Sequence, residues 1–81
     1  MSAHCYIQLS DVPPPLMEHS HQRVDDVTRA QLIAFSDCPL VGRIEESEGV
    51  YEIEYPFPRS TIRDDFVSWL MRWGISFRVE Q

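Results

Sequence analysis

The chain contains no lysine. Its seven basic residues are all arginines, set against thirteen Asp and Glu, so the net charge is −6. Direct nucleic-acid binding is therefore not expected, because phosphate recognition relies on a clustered positive field that releases counterions. A basic protein surface is a better partner. Cysteine is scarce too: Cys5 and Cys38 are the only two, with neither a paired zinc spacing nor a redox motif around them, so free buried thiols are expected. Apolar runs long enough to span a bilayer are missing. Met1-Ser2-Ala3-His4 shows no basic segment followed by an apolar stretch, so no secretory signal is read there. These absences predict a reduced, cytoplasmic setting without membrane contact. Nucleophile elbow, phosphate loop, dinucleotide fingerprint and zinc-protease helix are all lacking. Acid–base catalysis further needs a concave site that drives pKa values apart, for which so small a domain has little room. The expectation is a non-enzyme with no catalytic residues and no cofactor.

At 81 residues the chain is expected to form a single domain over 1–81, burying only about 60–65% of its unfolded surface. An ordinary apolar content and 11% aromatic residues allow a dense core. His4 to Leu9 alternates as a first strand, with Cys5, Ile7 and Leu9 on one side. Pro13-Pro14-Pro15 stops it. The stretch 10–23 reads as a proline-rich exposed connection. Asp25-Asp26 offers cap chemistry for a helix over 27–35, ending before Cys38-Pro39, although Gln31 to Phe35 also fits a buried strand. Leu40 to Glu46 and Val50 to Tyr55 form a hairpin whose parity requires an even loop around Glu48-Gly49.

The last third is the clearest segment. Ser60 or Thr61 caps a helix, Asp64 and Asp65 lie near the positive end of its dipole, and Gly74 terminates it in a left-handed conformation. Ile62, Phe66, Trp69, Leu70 and Trp73 share one apolar stripe, whose burial contributes on the order of 8–15 kcal/mol before entropy. Ile75, Phe77 and Val79 then alternate as a final strand. Strand, helix, strand, strand, helix, strand is the order of an α+β, ferredoxin-like βαββαβ sandwich, a four-stranded antiparallel sheet with two helices on one face.

RNA-recognition modules share that order, but they stack bases on aromatics beside basic residues, whereas the open face here carries Glu52 and Glu54. His19 and His21, with His4 and Cys5 elsewhere, complete no metal-ligand spacing, so no metal site is expected. Trp69 and Trp73 read as core rather than as an interface pair.

The strongest functional signal is acidic. Glu45, Glu46, Glu48, Glu52 and Glu54 crowd into one ribbon with only Arg43 adjacent, and a two-residue loop sets Glu45 opposite Glu52, a destabilising pairing. The partner-binding set is therefore expected to be these five glutamates with Tyr51 and Tyr55 at the rim, facing a basic protein surface of a nucleic-acid-binding complex. By size and charge only, the chain resembles phage-encoded inhibitors of nucleic-acid-binding machinery, including anti-CRISPR and anti-restriction proteins that act as nucleic-acid mimics. That resemblance implies an inhibitor, monomer or homodimer. Two alternatives remain: a dimeric small-molecule-sensing regulatory domain anchored by Arg43 or Arg78, and a structural assembly subunit using Pro13 to Met17 as a docking arm.

Overall fold

The computed structural model describes residues 3–58 and 61–81. Its strands are β1 (His4–Gln8), β2 (His21–Val24), β3 (Gln31–Ala34), β4 (Gly42–Ser47), β5 (Val50–Pro56) and β6 (Arg78–Glu80), with helices α1 (Pro14–Glu18) and α2 (Thr61–Trp73). All six strands join one antiparallel sheet in the order β2-β3-β4-β5-β1-β6. The expected four-stranded, two-helix ferredoxin-like sandwich does not form.

The correction falls on 27–35. Instead of capping a helix, Asp25 closes a hairpin loop: its Oδ2 accepts from Thr28 N and Oγ1, both at 2.8 Å, and its backbone N donates to Ala30 O at 2.8 Å. Arg29 completes the turn at φ 63°, and β2 and β3 leave it as partners. Val27, the first residue of the expected helix, is 89% exposed. The clustered apolar residues instead follow period two, with Ile33 and Phe35 buried and Leu32 and Ala34 half-buried. The segment 10–23 is not simply an exposed connection. A 3-10 turn at Leu9–Asp11, α1 and β2 occupy it, and Val12 and Leu16 enter the core. Pro14 and Pro15 fit the first turn of α1, where no backbone donor is needed.

Helix α2 covers one face. Phe66 stacks toward Tyr55 at 4.6 Å between ring centroids, and Trp69 lies 5.8 Å from Phe35. Trp69 Nε1 donates to Ser36 O at 3.0 Å, tying the helix to the β3–β4 connection. Ile62 and Trp73, assigned to the buried stripe, are partly exposed at the helix ends. Ser60, one of the two expected caps, lies outside the described residues. Gly74, at φ 67°, ends the helix as expected. Its N donates to Met71 O and Ile75 N to Leu70 O, a Schellman closure with Leu70 and Ile75 both buried. β6 starts only at Arg78, opposite Tyr6, later than the alternation from Ile75 predicts.

Gly42 admits Tyr55 to the core. A Cβ at Gly42 would lie 2.3 Å from Ile53 Cγ2 and 2.8 Å from Tyr55 Cζ. Tyr55 is completely buried against the bare backbone of β4, and its hydroxyl finds no hydrogen-bond partner among the described residues. Burial and the neighbouring Cys38 and Cys5 raise the Tyr55 pKa far above its ordinary value, and burial pushes the Cys5 thiol up to about 11. Gly42→Ala is expected to destabilise by about 1–3 kcal/mol through overpacking, read as a lower midpoint in urea. A midpoint equal to wild type would show that Ile53 and Tyr55 are not packed this tightly.

Candidate functional site

The uncovered face carries one cross-strand row, Arg23–Leu32–Arg43–Glu54–Tyr6–Arg78, running over all six strands. Glu54 is its hub. Arg43 Nη2 binds Glu54 Oε1 at 2.7 Å, Tyr6 donates its hydroxyl to Glu54 Oε2 at 3.3 Å, and His4 Nδ1 lies 3.2 Å from the same oxygen without hydrogen-bond geometry. Partial burial and the Glu54 carboxylate raise the Tyr6 pKa. Glu45 is the predicted partner of Glu52 across the hairpin, yet the two acids are drawn to different arginines. Arg43 Nη2 takes Glu45 at 2.6 Å, while Arg78 forks onto Glu52, with Nη2 3.2 Å from Oε1, and also binds Glu80. The Arg78 guanidinium carbon sits 4.5 Å from the Tyr6 ring centroid, adding a cation–π contact.

The expected acidic set therefore divides. Glu45, Glu52 and Glu54 share the uncovered face and are paired internally. Glu46 and Glu48 have no ion-pair partner among the described residues. Glu46 lies opposite Tyr51 on the other side of the ribbon, and Glu48 occupies the turn at φ 53°, followed by Gly49 at φ 81°. Tyr51 is 50% exposed and Val50 is 49% exposed. Tyr51, Val50 and Gly49 border an open hollow of about 420 Å³ with Gln8, Leu9 and Ser10. Tyr55 is corrected: it is a core residue and reaches no partner.

Two residues were missed. Arg78, expected only as an anchor for a small molecule, sits beside Glu52, and the position of β6 next to β1 brings them together. Val50 is the first residue of β5 and is exposed on the uncovered face, opposite Ser47. Arg43 and Arg78, the anchors for a sensing dimer, are both engaged by carboxylates. The Pro13 to Met17 arm is largely taken up by α1, which is pinned through Leu16.

Among the described residues, no group of three or more His, Cys, Asp or Glu comes together, and no helix is long and apolar enough to cross a membrane. No protein-family model matches the chain, and neither the curated proteins nor the solved structures compared with it give a match.

The Arg78 guanidinium, bonded to Glu52, holds that carboxyl below the usual carboxylate range against the opposing effect of partial burial. A folded pKa below the unfolded one means that the pair adds stability above the ordinary carboxylate range and loses it as pH falls through the lowered folded value. Glu52→Gln is thus expected to destabilise at pH 7 by about 0.2–1 kcal/mol, and by less at pH 3 or in high salt. Urea titrations at both pH values check this. A variant more stable than wild type at pH 7 would mean that repulsion from Glu45 outweighs the Arg78 pair.

Proposed function

We propose that the protein is a small non-enzymatic module that binds another protein in the cytoplasm, acting as an inhibitor on a basic, nucleic-acid-binding surface. Its docking element is the tip of the β4–β5 hairpin rather than the whole acidic ribbon. The observation that carries this reading is the composition of the tip, where Tyr51 stands exposed opposite Glu46, Val50 is exposed on the other side of the ribbon and Glu48 occupies the turn, both carboxylates lacking an ion-pair partner among the described residues. An exposed tyrosine bordering an open hollow, as Tyr51 does beside Leu9, is the type of anchor that dominates interfaces, and rim charges govern steering and partner choice.

Glu48 adds support. Its left-handed backbone favours Gly or Asn over Glu, and neither a core contact nor an ion pair among the described residues explains a carboxylate there. The charge of −6 without lysine suits association with a cationic surface. The free thiols of Cys5 and Cys38 are compatible with a reducing compartment.

The test is capture of nucleic-acid-binding proteins by the immobilised chain at low and high salt. A Glu46→Gln, Glu48→Gln double variant is expected to keep its fold and slow association at low salt. Tyr51→Ala is expected to weaken capture by roughly fivefold or more, and the captured protein should lose nucleic-acid binding when saturated. Capture indifferent to salt and to all three substitutions would remove the tip from the mechanism.

A further inference from the structure

Strand β2 is an open edge of the sheet, and all four of its residues, His21 to Val24, are exposed. Residues in an antiparallel ladder alternate between pairs that exchange both backbone bonds and pairs that exchange none. Asp25 N donates to Ala30 O at 2.8 Å, one step beyond the Val24–Gln31 pair. The alternation therefore turns the backbone groups of His21 and Arg23 toward β3 and those of Gln22 and Val24 outward, unpaired. The opposite edge, β6, differs: it is three residues long, and both its charged side chains are held in ion pairs.

Beside β2, the uncovered face forms a shallow hollow of about 100 Å³ floored by Leu32, Ala34 and Val41 and flanked by His21 and Arg23. Arg23 makes no ion pair among the described residues. A chain of net charge −6 thus carries an arginine without a close ion pair beside an apolar hollow along its longer exposed edge, with the Asp25 carboxylate of the adjoining turn its nearest countercharge.

We infer that β2 accepts an extended, acidic segment of a partner protein as a seventh strand, with a carboxylate opposite Arg23 and a large apolar side chain two residues away lying over Leu32, Ala34 and Val41. Backbone bonds to Gln22 and Val24 hold the segment, and the hollow and Arg23 select it. A second copy of this chain fits less well. Antiparallel registers centred on Gln22 or Arg23 set Arg23 opposite His21 or Arg23, and like charges in that position are destabilising; a register centred on Val24 sets Arg23 opposite Asp25, whose carboxylate is already held by Thr28 at the end of the strand. This surface is separate from the hairpin tip and stands or falls independently of it.

The experiment titrates isotope-labelled protein with a nine-residue peptide in which threonine alternates with leucine and glutamate in turn, and with a control carrying arginine for glutamate. At millimolar acidic peptide, the amide signals of Gln22 and Val24 are expected to move most, and the control is expected to bind at least about tenfold more weakly. Arg23→Glu should reverse that preference. Gln22→Pro places a ring at an outward amide that the fold does not use, so it should abolish binding with little change in melting temperature. Glu46→Gln and Tyr51→Ala should leave peptide binding unchanged.

The inference is overturned if the peptides bind equally, if the largest shifts lie elsewhere, or if the acidic peptide does not bind. It is also overturned if the free chain dimerises in a way that Gln22→Pro abolishes, which would assign the edge to a second copy.

Discussion

The contact of Tyr55 with the bare backbone of Gly42 organises the covered face. With no side chain on β4 at that point, the phenol ring occupies the space beside Gly42 and meets Phe66 of α2, which leads on to Trp69 and Phe35. The core is thus an aromatic chain linking β5, α2 and the end of β3, closed at its far end by the Trp69–Ser36 bond. The Tyr55 hydroxyl is buried there with Cys38 and Cys5 as its polar neighbours, and the surrounding packing offsets the cost of taking it out of water. A small sheet crossed by one substantial helix has few other ways to exclude water from both strand hairpins at once.

On the other face, charge follows from strand order. β5 supplies the acids, Glu52 and Glu54, and its neighbours supply the countercharges, Arg43 from β4 on one side and Arg78 from β6 beyond β1 on the other. Opposed carboxylates that look destabilising in isolation become the centre of a cross-strand ion-pair network. Of the five acids of the ribbon, Glu46 and Glu48, at the turn and just before it, are the two without an ion pair among the described residues. The chain therefore presents two chemically distinct surfaces, an acidic tip with an exposed tyrosine and an apolar hollow with Arg23 beside the open strand β2.

Much of this was legible residue by residue. The period of Ile62 to Trp73 and the left-handed glycine at 74 marked α2, and parity around Glu48-Gly49 marked the hairpin and the Glu45–Glu52 pairing. Alternation in β1 and β5 separated Cys5, Ile7, Ile53 and Tyr55 from Tyr6, Glu52 and Glu54. Asp25-Asp26 was ambiguous because one side-chain oxygen serves equally well as a helix cap and as a turn acceptor. The binding role assigned to Tyr55 failed for a related reason, since its position in the alternation gave its face but not the absence of a competing side chain at Gly42.

Local periodicity and turn chemistry are short-range properties, so the amino-acid order alone determined which residues form α2, the β4–β5 ribbon and the first strand, and which side of each is apolar. Tertiary structure decided which strands lie side by side, and with that which acids are neutralised, which are left free and which edge stays open. Those outcomes depend on contacts between residues far apart in the chain, such as Arg78 with Glu52, Trp69 with Ser36, and β2 with the solvent it faces. Their energies exist only once the sheet order is chosen.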